Sequence, residues 1–216
     1  MSDPHRVTRD FERALCEYTG ARFAVTTTSC TQAILMALAW HNRFPTWLLL
    51  DGNASVVPDT VTMPRLSYVG VPASVRSAGF AVDFRDEDWQ GEYEFKSRTV
   101  EVGVWDSARR FTSGMYRPGA MQCVSFHWSK ILGLSQGGAI LHDNEEADAW
   151  LRRARFDGRT EGIDPKLDQV QYPSWHAYLS PEVAAHGLMK LSLLPKHNPD
   201  LPRSDYPDLS LLEAFK

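Results

Sequence analysis

The stretch Met121-Gln122-Cys123-Val124-Ser125-Phe126-His127-Trp128-Ser129-Lys130, followed by Gly133 and then by Gly137-Gly138-Ala139-Ile140-Leu141-His142, decides how this chain folds. Two apolar runs, Met121 to Phe126 and Gly138 to His142, flank a loop that carries aromatic residues, glycines and one lysine. Such continuous runs suit strands buried on both faces, as in a parallel or mixed sheet covered by helices, rather than strands with one wet face. Further runs at Thr46 to Leu50, Val61 to Met63, Phe80 to Phe84 and Thr99 to Trp105 read as strands too, most of them without alternation.

Helical patterns lie between them. From Thr8 the residues Phe11, Leu15 and Tyr18 recur at helical spacing and Gly20 sits where a helix stops. A β-rich run, Arg22 to Thr27, leads through the polar turn Thr28-Ser29-Cys30 into a segment rich in Ala, Leu and Met from Thr31 to Trp40. Val71 to Ala78, Asn144 to Phe156 and Ser180 to Leu193 complete the helices. The expected fold class is α/β, a three-layer α/β/α sandwich with a mostly parallel mixed sheet. Residues 1–193 are expected to form the main domain, with a polar loop from Asp157 to Tyr172. Residues 194–216, with Pro195, Pro199, Pro202 and Pro207, are expected to form a largely non-helical tail that lies on a partner subunit.

Composition narrows the function classes. The 216 residues are 43% hydrophobic, enough for one sizeable core. The 23 basic and 27 acidic side chains, formally −4, are too balanced and too evenly spread to mark a nucleic-acid surface. Three cysteines without paired spacing argue against a disulfide framework or a cysteine-rich zinc site, so no metal is expected. No leader and no run near the roughly 20 apolar residues of a membrane span is seen, so a cytoplasmic location is expected. Lysine is scarce beside arginine, 6 against 17, which draws attention to Lys130.

Four local patterns can carry chemistry. Ser29-Cys30-Thr31-Gln32-Ala33 opens a helix after a strand, where hydroxyls and free backbone N–H groups make an anion site; an ordinary N-cap explains the same residues. Asp106, in Val104-Trp105-Asp106-Ser107-Ala108, stands at the carboxyl end of an apolar strand, where ligands of open α/β sheets collect; a turn or cap is the alternative. Lys130 follows a buried strand among aromatics, a setting that can lower an amine's pKa by desolvation; a surface loop lysine is the alternative. His127 beside it reads by default as a hydrogen-bonded structural residue. Trp175 to Gly187 contains Ser180-Pro181, a good N-cap and first helical residue.

In this combination and order the patterns resemble the sugar-aminotransferase family named after DegT, DnrJ and StrS, which are pyridoxal-phosphate enzymes of fold type I. Phe11 to Gly20 is similar to the family's first helix ending in Tyr-x-Gly, and Ser29-Cys30-Thr31-Gln32-Ala33 to its Ser-Gly-Thr-x-Ala. Pro64-Arg65-Leu66-Ser67-Tyr68 is similar to Pro-x-x-Thr-Phe, and Trp105-Asp106-Ser107-Ala108-Arg109 to Glu-Asp-Ala-Ala-Gln. Ser125, Phe126, His127, Lys130, Gly137 and Gly138 keep the family's Ser-Phe-His-x-x-Lys and Gly-Gly in full, and Ser174 to Ser180 resembles Gly-Tyr-Asn-x-Arg-Met-Ser.

The resemblance implies pyridoxal 5'-phosphate as cofactor and Lys130 as the catalytic lysine that forms a Schiff base with it. It implies that Asp106 pairs with the ring nitrogen and that Tyr68 stacks on the ring. Ser29, Cys30, Thr31 and Ser125 would hold the phosphate, and Arg109 and His127 would lie against the cofactor. His176 stands where the family's Asn reaches the neighbouring subunit's phosphate, so a homodimer with shared sites is implied. The implied reaction moves an amino group, with glutamate the expected donor, to a keto sugar nucleotide or a similar small molecule. Another pyridoxal-phosphate reaction, decarboxylation or elimination on a bulkier substrate, and a non-catalytic relic are the alternatives. The family's smaller carboxyl-terminal domain has no counterpart here, so the tail or a partner chain is expected to rebuild part of the pocket.

Overall fold

Helix α1 (Arg6–Thr19) buries Phe11 and Leu15 and ends where Gly20 takes φ 84°, the left-handed conformation that lets its N–H reach back to the Cys16 carbonyl. The computed structural model of the chain describes residues 3, 5–42, 59–97, 102–170, 172, 174–203 and 205–215. The strand expected over Thr46–Leu50 falls outside them, as do residues 99–101 of the Thr99–Trp105 run. After α1 come β1 (Phe23–Thr27), α2 (Cys30–His41), β2 (Thr60–Pro64), α3 (Gly70–Ser77) and β3 (Ala81–Arg85). Two short strands follow, β4 (Tyr93–Glu94) and β5 (Lys96–Ser97), then β6 (Val104–Asp106), β7 (Met121–Ser125), β8 (Gly138–His142), α4 (Glu145–Ala154) and α5 (Pro181–Leu193).

Five strands form one sheet in the order β1-β8-β7-β6-β4, and β3-β2-β5 form a second. Ladders β2–β3 and β6–β7 are parallel, and β1–β8, β7–β8, β4–β6 and β2–β5 are antiparallel. The sheets are therefore mixed, with fewer parallel ladders than the apolar runs imply. The cause is local: β8 runs against both its neighbours, and the two-residue strands β4 and β5 run against theirs, while β1, β6 and β7 share one direction.

Alternate strand residues feed two cores, as a pleated strand requires. Val25, Cys123 and Ile140 pack with α2, α3 and α4; Ala24, Val124, Ala139 and Leu141 pack with α1 and α5. Helices thus cover both faces, which is why β7 and β8 are buried along their whole length. Helix α2 is apolar all round because it is enclosed between the sheet and α3 and α4. One buried ion cluster ties the layers together. Glu12 of α1 accepts from Arg155 and Arg152 at the end of α4 and from the Thr26 N–H of β1.

The described residues between α4 and α5 form no helix or strand, as the segment's Gly and polar content predict. The described residues of the tail pack on their own chain. Asp200 accepts from Arg110 (Nε–Oδ1 3.0 Å), Asp208 pairs with Arg65, and the Leu201 and Leu209 N–H groups donate to the Arg109 and Arg65 carbonyls at 2.9 Å each. Leu209 is fully buried, and single 3-10 turns occupy Leu209–Leu211 and Glu213–Phe215. Two carboxylates facing arginines and one apolar anchor hold the strap where proline-rich composition only forbids a long helix.

Candidate active site

Three strand-to-helix or strand-to-loop junctions meet at one edge of the five-stranded sheet. The first is the start of α2. Ser29 caps it, its hydroxyl accepting from the Gln32 N–H at 3.1 Å, and the Thr28 N–H donates to the Ala177 carbonyl. Ser29 also bridges Gly137, and the next residue, Gly138, lies so close that a Cβ there would stand 2.5 Å from the Cys30 nitrogen. A glycine at 138 is what allows the helix start to rest on the beginning of β8.

The second junction is the end of β6. Asp106 is 4% exposed; its Oδ2 accepts from the Tyr93 hydroxyl at 2.9 Å and its Oδ1 from the Ala108 N–H at 2.9 Å. Burial pushes this carboxyl above its usual value, against the opposing pull of those two donors and of the Lys130 and Arg109 charges. The third is the end of β7. Ser125 and Phe126 are buried, and the chain then turns through a loop in which the Lys130 N–H donates to the His127 carbonyl at 2.8 Å. Buried Leu132 and Leu134 anchor that loop, Lys190 of α5 donates to the Gly133 carbonyl, and the Phe126–Gly137 bond at 2.9 Å closes its base.

Between the junctions lies a cavity of about 320 Å³, within the usual range for small-ligand sites. Lys130, Asp106, Tyr68, Ser29, Cys30, Thr31, Ser125, Arg109 and His127 all line it. Nine residues expected from separate stretches of sequence are therefore brought together. Among the described residues the Lys130 amine makes no hydrogen bond or ion pair, and its charge reaches Asp106 and Cys30. The Cys30 thiol is held well above its usual value by burial and the Asp106 charge, so it remains a neutral wall residue. His127 is exposed at the rim, 2.9 Å from the Ser129 hydroxyl. The Ser29 cap and the cavity wall are compatible readings of one residue, since its side chain does the first and its position the second.

His176 lies elsewhere. It is exposed, bridges Phe156 and bonds Asp157 at 2.8 Å, outside this cavity. Sequence reasoning missed Trp89, Gln136 and Tyr206, which also line the cavity. Tyr206 comes from the tail, so the expectation that the tail rebuilds part of the pocket has a residue attached to it. Arg109 is turned toward that tail, donating to the Pro202 carbonyl at 2.7 Å with its guanidinium 5.7 Å from the Tyr206 ring. Gln136 had a usable cue in standing just before the glycine pair; Trp89 sits in an acidic stretch and carried none.

No group of His, Cys, Asp and Glu among the described residues could hold a metal ion, and no described helix is long and apolar enough to cross a membrane.

The fold is that of pyridoxal-phosphate-dependent aminotransferases. PseC of Helicobacter pylori, "aminotransferase involved in the biosynthesis of pseudoaminic acid", superposes with TM-score 0.67 at 18% identity, over 87% of this chain and 57% of its own. The sugar aminotransferase CalS13 of Micromonospora echinospora gives 0.68 at 15%, over 87% and 60%, and NtdA of Bacillus subtilis with bound PMP gives 0.66 at 19%, over 87% and 48%. The chain thus spans about half to three-fifths of the length of these structures. Residues 4–101 match the DegT/DnrJ/EryC1/StrS aminotransferase family, the family that the motifs resemble. No curated protein matches the sequence significantly.

Proposed function

We propose that this chain binds pyridoxal 5'-phosphate in the cavity and catalyses amino-group transfer, with glutamate as donor and a keto sugar nucleotide or similar small molecule as acceptor. The observation that carries the reading is the convergence of Lys130, Asp106, Tyr68 and the start of α2 on one cavity. The residues fit the group. Asp106, pushed up by burial, is a carboxylate whose ionised form gains from a cationic ring nitrogen. The start of α2, with Ser29, Thr31 and Ser125 hydroxyls on the same wall, suits a phosphate dianion. Tyr68, half-exposed at the cavity wall, offers an aromatic face to a ring.

When bound, the cofactor supplies an aldehyde that condenses with an amine and a ring that draws electrons from the carbon being changed. The protein's part is positional and acid–base. Lys130 would provide the amine, and its Nζ, when free, would carry the proton to or from the substrate carbon. Asp106 would keep the ring nitrogen protonated, and buried Phe126 and Leu134 fix the loop on which Lys130 stands. Arg109 offers a positive charge for an acidic substrate group at the tail side of the cavity.

A homodimer with His176 given to the neighbouring site and a cytoplasmic location belong to the same reading. Exposure of His176 and the three free cysteines support them. The test is to add the cofactor to the purified chain, record the yellow absorbance before and after borohydride reduction, and map the modified lysine. Modification at Lys130, and bleaching of the yellow form by glutamate, are expected; labelling elsewhere, or no uptake, overturns the reading.

A further inference from the structure

Beside Asp106 runs a buried pair of hydroxyls, those of Tyr93 and of Ser67, the second of which also lines the cavity. Tyr93 stands opposite Asp106 in the β4–β6 ladder, is 2% exposed, and is held edge-on by Trp89 and Phe95, with ring centroids at 4.8 and 5.5 Å. Its hydroxyl lies 2.9 Å from Asp106 Oδ2 and 2.8 Å from Ser67 Oγ, and Ser67 is 1% exposed. A tyrosine hydroxyl has one proton to give. If that proton goes to the carboxylate, Ser67 must donate to the tyrosine oxygen, so the two bonds run in one direction, Ser67 to Tyr93 to Asp106, and strengthen each other. The second carboxylate oxygen is occupied by the Ala108 N–H. Tyr93 does not line the cavity; it touches three residues that do, Asp106 and Ser67 through its hydroxyl and Trp89 through its ring.

We propose that Tyr93 is the positioning residue of this site: its hydroxyl, backed by Ser67, fixes the Asp106 carboxylate in one orientation toward the cavity, where it receives a cationic ring nitrogen. The proposal rests on the pyridoxal-phosphate reading. The opposing influences on Asp106 make the hydroxyl matter. Burial raises the carboxyl; the Ala108 N–H, the Tyr93 hydroxyl, Lys130 and Arg109 lower it. The other groups facing it, Cys30 and Cys123, have thiols held protonated by burial, so they bring no charge. Without the tyrosine proton, the balance moves toward a neutral acid that no longer holds the ring nitrogen's proton.

The experiment compares the wild type with Tyr93→Phe, Ser67→Ala and Asp106→Asn. It titrates each with pyridoxal 5'-phosphate and follows the yellow Lys130-linked absorbance against pH. Tyr93→Phe keeps the ring between Trp89 and Phe95, so it isolates the hydroxyl. It is expected to bind the cofactor about tenfold more weakly, as loss of a hydrogen bond to a charged group implies. The pH midpoint of the absorbance change should also move upward, because a ring nitrogen without its proton draws less charge from the Lys130 nitrogen. Ser67→Ala is expected to shift both readouts the same way by less, and Asp106→Asn by more. Wild-type affinity and midpoint in Tyr93→Phe, even with lowered thermal stability, overturn the proposal. If Tyr93→Phe does not fold, unchanged readouts in Ser67→Ala overturn it. A wild type that never turns yellow, or a Lys130→Ala variant that does, defeats the cofactor reading itself and removes the proposal with it.

Discussion

Replacing Gly138 by Ala tests whether the start of α2 is held against β8 as tightly as the geometry shows. The added Cβ would lie 2.5 Å from the Cys30 nitrogen, 2.7 Å from the Ser29 carbonyl carbon and 2.8 Å from the Cys30 Cα, all backbone atoms that no side-chain rotation can clear. Moving the nearest from 2.5 Å to an ordinary contact of 3.4 Å requires a displacement of about 0.9 Å. Two effects compete. An alanine in a strand interior recovers about 0.5–1 kcal/mol of the glycine's entropic cost, whereas forcing extra volume into a close-packed contact costs about 1–3 kcal/mol. The steric term wins, and a net loss of about 1–2 kcal/mol is expected in urea unfolding.

The larger effect falls on the site. The atoms displaced are backbone atoms of Ser29 and Cys30 at the start of α2, and a misplacement of about 1 Å in a positioning element can cost on the order of a hundredfold in turnover. Cofactor titration by absorbance should show weakened binding in the same variant. If Gly138→Ala unfolds at the wild-type midpoint and takes up cofactor with wild-type affinity, α2 is not pinned by that glycine and the site's geometry has been misread.

Lys130→Ala should fold as the wild type does yet show no yellow absorbance with added cofactor, checked by spectrum and circular dichroism. Glu12 governs acid stability: burial pushes its carboxyl up, but Arg155 and Arg152 outweigh this and hold it at about 2. A folded value below the unfolded one means stability that is complete above about pH 4.5 and lost as pH falls toward 2, worth about 3 kcal/mol in all. Urea melts at pH 7 and pH 3 should show about 2 kcal/mol of that loss in the wild type and much less pH dependence in Glu12→Gln. Glu12→Gln should also be less stable at pH 7 by several kcal/mol, since Arg155, 1% exposed, loses the nearer of its two charge partners and keeps only Glu161 at 3.5 Å. Asp200→Ala should loosen the tail, raising protease cleavage within residues 196–208, while Arg110 keeps Glu92 and the main core keeps its stability.

How much of this was legible beforehand follows from the range of the interactions. The strands Met121–Ser125 and Gly138–His142 were readable because burial on both faces leaves continuous apolar runs. Helix α1 was readable from its spacing and its Gly20 stop, and the start of α2 from Ser29. The ordered motifs, through the family that they resemble, also named nine of the residues that line the cavity. By itself, then, the sequence determined the elements, the cofactor chemistry they suggest and the identity of nine wall residues.

Only the tertiary structure decided which distant side chains complete them. Strand β4 is two residues long and carries too little pattern to be seen, yet its pairing with β6 sets Tyr93 beside Asp106. The tail's prolines say what it cannot be, while its place against Arg65, Arg109 and Arg110, and hence Tyr206 in the cavity wall, comes from contacts with residues some 90 or more positions earlier in the chain. Strand direction in β8 was likewise settled by its partners. A pattern of neighbours encodes burial and local conformation, whereas pairing direction and remote contacts are free energies of the assembled chain.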